Sequence, residues 1–159
     1  MRVFDASSMI YAWDNYPLEQ FPGLWDWMAE RIRLGELAMP SLALDEVDNK
    51  VPECTQWLRE HDIKVLEITN AIIQDAMRIK NLLEIVEDRY GSGVGENDLF
   101  IIATARAHHA ELVTDEKWQT VLPKKLMNYK IPAVCDMPSV AVGWLRFIDY
   151  IKWSGAVFR

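Results

Sequence analysis

From Leu99 to Ala105, the stretch "LFIIATA" is apolar or small on every side of a helical wheel. A helix of that kind has no face for water and must be enclosed by other elements. A few residues later comes "ELVTD", a short apolar run that reads as a strand. A buried helix feeding a short strand is the unit from which a helix-covered parallel sheet is built. The rest of the chain repeats that alternation. "RVFDA", "ELAMP", "IKVLEI" and "IPAVCD" read as further strands. The helices read as "SSMIYAW", with Ser7 or Ser8 available as cap, "GLWDWMAERIRLGEL", stopped near Gly35, and "SLALDEVDNK", capped by Ser41. "CTQWLREH", the long "NAIIQDAMRIKNLLEIVEDRY" with its cap at Thr69 or Asn70, and "SVAVGWLRFIDYIKW" complete the set. No repeat, low-complexity tract or linker divides residues 1–159, so one domain is expected. The expected fold is a three-layer α/β/α arrangement around a central parallel sheet of four to five strands.

Composition removes several function classes. A net charge of −7 argues against a protein that coats nucleic acid by bulk electrostatics. It leaves room for a nucleic-acid enzyme whose acids gather around metal ions. The opening "MRVFDASSMIYAW" places Asp5 inside its apolar run, unlike a signal peptide, and no apolar run approaches a membrane span. Cys54 and Cys135 lack C-x-x-C spacing and are expected as free thiols in a cytoplasmic protein.

In a parallel sheet, ligands bind beyond the carboxyl ends of the strands. Asp5 ends the first strand and Asp115-Glu116 ends "ELVT". Asp98 begins the helix that feeds "ELVT", and Glu46 lies in the helix that leaves "ELAMP", so all are expected on one rim. With Leu42 at 0°, Glu46 falls at about 40°, beside Ala43 and Val47, while Asp45 and Asp48 fall on the polar arc. Each acid alone has an ordinary explanation: a buried ion pair for Glu46, a helix start for Asp98, turn or loop acids for the others. Together they would repel and take up protons unless cations neutralised them. Oxygen-only sites of this kind suit Mg²⁺ or Mn²⁺, which can activate water against a phosphodiester. No Ser-His-Asp or Cys-His arrangement competes with that chemistry.

At these residues the chain resembles the PIN domain family, metal-dependent nucleases that include VapC-type toxins and RNA-processing enzymes. The matching pieces are "VFDAS", "PSLALDEV", "ENDLFIIATA" and "LVTDE", in the family's order over most of the chain. Their spacing resembles an uncharacterised bacterial PIN-like branch more than a standard toxin. The resemblance implies that Asp5, Glu46 and Asp98 are metal-site acids, with Ser7 and Thr114 as the polar residues beside them. The last motif departs from the pattern, since the family has Thr, one variable residue, then Asp or Asn. Position favours Glu116 as fourth acid and residue type favours Asp115; both are kept. Implied with these are an RNA substrate, an Mg²⁺- or Mn²⁺-dependent endoribonuclease activity and an antitoxin protein as partner. A homodimer is also expected; the seven Trp residues read mostly as core, and Trp25 and Trp27 lie too close to share one helix face fully, which leaves one of them as a candidate interface residue.

The competing readings are weaker. A catalytically impaired PIN-like interaction module would keep the fold and bind a partner. A dehalogenase-like phosphatase needs D-x-D where Ser7 stands, and a receiver domain needs an Asp where "KVLEIT" offers Glu67. "GSGVG" follows a charged helix instead of a strand and lacks G-x-G-x-x-G spacing, so it reads as a flexible loop near Asp98. His108-His109 read as partners of a helix C-terminus. Arg89 and Lys117 flank the acidic rim and are the expected phosphate contacts.

Overall fold

The computed structural model describes residues 1–159. Its strands are β1 (Arg2–Phe4), β2 (Leu37–Pro40), β3 (Lys64–Leu66), β4 (Glu111–Val113) and β5 (Trp144–Leu145). They form one sheet in the order β3-β2-β1-β4-β5, and every pair is parallel. Successive strand residues face opposite sides of a sheet. Val3 and Phe4, Leu37 to Met39, and Leu112 and Val113 are all fully buried, so both faces are covered. The helices that cover them are α1 (Ala6–Asn15), α2 (Pro22–Arg33), α3 (Ser41–Lys50), α4 (Pro52–Glu60), α5 (Asn70–Leu82), α6 (Glu96–Ala107), α7 (Ile131–Cys135) and α8 (Phe147–Ser154). The result is the expected three-layer α/β fold, with one continuous apolar core. No helix is long and apolar enough to cross a membrane.

The all-round apolar helix is α6. Leu99 and Ile101 to Ala105 are buried, and its one buried hydroxyl, on Thr104, donates back to the Phe100 carbonyl at 2.7 Å. α6 packs chiefly on α5 and also touches α3, α7 and β4. α5 is held at its start by Thr69, whose hydroxyl accepts the Ile72 N–H at 3.3 Å.

Three elements differ from expectation for identifiable reasons. "IPAVC" is the helix α7, not a strand. All five of its side chains are buried, which erases any periodicity, and Pro132 sits at the helix start, where a missing N–H costs nothing. The last strand is Trp144–Leu145, two residues inside the run expected as the start of the final helix; α8 begins only at Phe147. α5 stops at Leu82, short of the expected span. Leu83 and Ile85 turn into the core while Glu84 takes a left-handed backbone conformation, with φ +57°. Of the pair Trp25 and Trp27, only Trp27 keeps a partly exposed side chain. Trp25 is buried edge-on against Trp13 and Trp57, and Trp27 is covered by Tyr150 and Phe158.

"GSGVG" is a docked segment, not a free loop. The Ser92 N–H donates to Asn128 Oδ1 at 2.9 Å and the Val94 N–H to the Tyr129 carbonyl at 2.8 Å. A Cβ on Gly93 would run into the Tyr129 carbonyl and the Asn128 backbone, so only glycine permits this approach. Gly93→Ala should therefore cost about 1–3 kcal/mol of stability. In urea unfolding the midpoint should fall with the slope unchanged. An unmoved midpoint would show that the loop yields freely.

Candidate functional site

The order β3-β2-β1-β4-β5 reverses direction at β1, so β1 and β4 are neighbours whose connections leave on opposite sides. In parallel sheets the carboxyl ends of the strands at such a switch point are where ligands bind. Asp5 follows β1 directly, and Thr114, Asp115 and Glu116 follow β4.

Asp5 precedes the first residue of α1 in an extended conformation, with its side chain almost completely buried and making no capping hydrogen bond. Its Oδ2 accepts two hydroxyls, Ser7 Oγ at 2.6 Å and Thr114 Oγ1 at 3.0 Å. Ser7 Oγ accepts in turn the Asp115 N–H at 3.0 Å, and Thr114 Oγ1 accepts the Glu116 N–H at 3.3 Å. The ends of β1 and β4 are thus joined through one carboxylate oxygen. Oδ1 takes no hydrogen bond from the protein, so it remains able to take a ligand. Ser7 and Ser8, expected as alternative caps, lie inside the first turn and serve acids instead.

Asp98 is the third residue of α6, and its Oδ2 accepts the Gly95 N–H at 2.9 Å. It is at once a helix cap and a member of the rim. Glu46 sits at the border of the buried face of α3, half-buried, while Asp45 and Asp48 are exposed. No Lys or Arg forms an ion pair with Glu46; Asn97 Nδ2 approaches its Oε1 at 3.3 Å. Glu46, Gly95, Glu96, Asn97 and Asp98 line an open hollow of about 450 Å³ with no hydrophobic side chain. A hollow of about 360 Å³ beside Arg106 and His109 lies at the far end of α6 and has no such cluster.

The electrostatics link these groups. Burial pushes the Asp5 carboxyl up to about 6, helped by the charges of Asp98 and Glu116 and opposed by the Ser7 and Thr114 hydroxyls. Asp98 also rises to about 6. Burial is the main cause, with Glu116 and Glu46 adding to it and the Gly95 N–H and Lys130 opposing it. Glu46 is raised by burial and by Asp5. Glu116 therefore acts on Asp5, Asp98 and Glu46 alike.

Asp115 stands apart. Its Oδ2 accepts the Ser8 hydroxyl at 2.6 Å and the Phe147 N–H at 3.2 Å, tying α1 to the start of α8. Its charged neighbours are Arg146 and Asp149, not the rim acids. Of the two acids kept for the fourth position, the structure brings Glu116 to the others and turns Asp115 away. Ser8, Asn97 and Lys130 were not anticipated. Asn97 adjoins Asp98 in sequence, but nothing local to Lys130 signals its place near Asp98. His108 and His109 are exposed at the far end of α6, away from the rim.

No three acidic, histidine or cysteine side chains are drawn tightly enough to enclose an ion unaided. The donor set still fits a hard divalent cation. It is all oxygen, it includes an Asp5 Oδ1 that takes no hydrogen bond from the protein, and none of its acids is neutralised by an ion pair. Mg²⁺ keeps several waters and needs only one or two direct carboxylates.

The raised carboxyls carry a pH signature. An ordinary Asp titrates at 3.8, whereas Asp5 and Asp98 titrate at about 6 in the fold. Between those values the folded state holds more protons, so stability from these groups is lost as pH rises through about 6. Asp98→Asn keeps an oxygen for the Gly95 N–H and removes one repelling charge. In chelator, its stability relative to wild type should be unchanged near about pH 4 and higher by on the order of 1–2 kcal/mol at about pH 7.5. A variant weakened equally at both pH values would reduce Asp98 to a cap.

Comparison with known proteins places this geometry in a family without assigning it a reaction. No curated protein matches the chain. Among solved structures it is similar to one described as a toxin-antitoxin complex from Klebsiella pneumoniae, at 16% identity and a TM-score of 0.45, covering 72% of this chain and 85% of that one. A family model matches residues 3–158, nearly the whole chain, and the protein therefore belongs to the family described as Domain of unknown function (DUF4411).

Proposed function

We propose that this protein is a metal-dependent endoribonuclease, with Asp5, Glu46, Asp98 and Glu116 holding Mg²⁺ or Mn²⁺ at the β1/β4 switch point. The observation that carries the reading is the gathering of carboxylates from separate elements at one sheet edge: each has its pKa raised first by burial and then by neighbouring acids, and no cationic side chain forms an ion pair with any of them. A protein keeps such repulsion where a cation relieves it. Bound there, a divalent ion would supply a more acidic water and charge stabilisation at the scissile phosphate.

The chain's own residues do the positioning. Ser7 and Thr114 hold Asp5 Oδ2, which fixes the plane of the carboxylate and leaves Oδ1 available. The Gly95 N–H fixes Asp98 in the same way. Glu46 and Asn97 border the open polar side of the rim, where a backbone phosphate can enter. The resemblance to the PIN domain family, which includes VapC-type toxins, extends the proposal to a toxin restrained by an antitoxin protein. A second reading, a non-cutting PIN-like interaction module, is favoured by the loose spacing of the carboxylates. It predicts no Mn²⁺-linked rise in stability, whereas a true site predicts one that grows with ion concentration.

Purified protein should cut an RNA pool with Mn²⁺ or Mg²⁺ and stop when chelator is added. Cleavage undiminished in excess chelator would rule the mechanism out. Asp98→Asn and Glu46→Gln should lower the rate by about a hundredfold or more, and Asp45→Asn and Asp48→Asn should stay near wild type.

Asp115 and Glu116 should separate cleanly. Glu116→Gln should weaken Mn²⁺ binding in calorimetric titration with little change in stability. Asp115→Ala should bind Mn²⁺ as wild type does but lose about 1–2 kcal/mol in urea unfolding, because it leaves the Ser8 hydroxyl and the Phe147 N–H without their acceptor. Equal loss of binding in both would mean that the two acids share the site.

A further inference from the structure

Immediately after Glu116 the character of the chain changes. Residues 117–135 hold four lysines and no Asp or Glu, in a protein whose net charge is −7. Within that stretch Trp118 is 58% exposed, Val121 84% and Leu122 55%. An indole left so open two residues from a rim acid has no role in the core.

The segment is nonetheless held in place. The Gln119 side chain donates to the Asn128 carbonyl at 3.1 Å and accepts the Lys130 N–H at 2.9 Å, pinning the start of the stretch to its later part. That later part is the strip on which Ser92 and Val94 dock, the loop that leads into Asp98. Lys130 lies near enough to Asp98 to stabilise its charge. The basic stretch therefore begins at Glu116 and returns to Asp98, bordering the acids at both ends. Trp118 and Glu116 are at most about 7 Å apart along the chain.

We propose that Trp118 is a base-stacking platform and Lys117, Lys124, Lys125 and Lys130 its phosphate contacts, so that the protein binds single-stranded RNA across this stretch and feeds it to the acidic rim. This rests on the nuclease reading for its purpose, though not for its test. An exposed aromatic set among lysines is how strands are held without sequence preference, because every base has a π-face and every nucleotide a phosphate. A paired duplex hides its bases and gains nothing from the indole. The Asp- and Glu-free composition of residues 117–135 matches a polyanion and would repel nothing on it.

The test is anisotropy titration of a short labelled single-stranded RNA, and of its duplex, in chelator and at low salt, where the strand stays intact. Wild type should prefer the single strand, and binding should quench tryptophan fluorescence. Trp118→Ala should weaken single-strand affinity about tenfold to a hundredfold. Trp118→Phe should restore most of it, and thermal melting should be the same in all three proteins. Lys124→Glu with Lys125→Glu should flatten the dependence of affinity on salt. Single-strand affinity unchanged in Trp118→Ala would overturn the proposal. So would a wild-type dimer that Trp118→Ala dissolves without touching RNA affinity, which would assign the patch to a second copy of the chain. Cleavage of RNA with Mn²⁺, read separately, judges the nuclease: Trp118-dependent binding without cleavage would retain the platform and sink the enzyme.

Discussion

One buried carboxylate organises the centre of this protein. Asp5 interrupts an apolar strand at the place where the sheet reverses its order, a position where burying a charge is costly without partners. Two hydroxyls from different elements, Ser7 and Thr114, meet on a single oxygen of that carboxylate. Each hydroxyl also accepts a backbone N–H from the residues after β4. The network thereby sets the geometry of both strand ends. It also decides which way the following acids face, because the turn it imposes sends Asp115 toward α8 and leaves Glu116 with Asp5 and Asp98.

The pairing of an apolar helix with an acidic start follows from the same constraint. α6 must be buried nearly all round, so it can neither slide nor tilt without opening the core. A carboxylate on its first turn is then carried by an element that the core holds on most sides and is oriented by the backbone N–H of Gly95. Its position costs repulsion from Glu116 and Glu46, and the fold tolerates that because the core beneath is large. Strain kept at a site while the rest of the chain obeys ordinary rules is what a functional site is expected to look like.

What could be read in advance divides along physical lines. The gathering of Asp5, Glu46 and Asp98 was legible because Asp5 and Glu46 break apolar patterns, Asp98 opens a helix that feeds a strand, and a parallel sheet collects such positions at one edge. The strand Trp144–Leu145 was not legible. It has two residues and lies in an apolar run, and its pairing to Leu112 and Val113 is a long-range fact. α7 was misread because complete burial hides helical period as thoroughly as it hides strand alternation. The choice between Asp115 and Glu116 turned on Ser8 and the Phe147 N–H, partners far from both in sequence. Lys130 was invisible for a similar reason: it comes near Asp98 only because Gly93 lets one backbone lie against another.

Net charge, finally, is a poor guide to what such a surface attracts. The value of −7 sums an acidic rim with a stretch that holds lysines and no acid at all, and the two are contiguous in space. Over distances shorter than a Debye length, about 8–10 Å at ordinary salt, a polyanion responds to the local field and not to the sum. Without a cation the rim repels phosphate and only the lysines draw it in. A divalent ion held by the carboxylates would shift the sign at the rim toward positive, and under the proposed function the two regions would then form one continuous path for a strand. The acids that look like an obstacle to nucleic acid are then the part of the surface whose sign a metal ion can change.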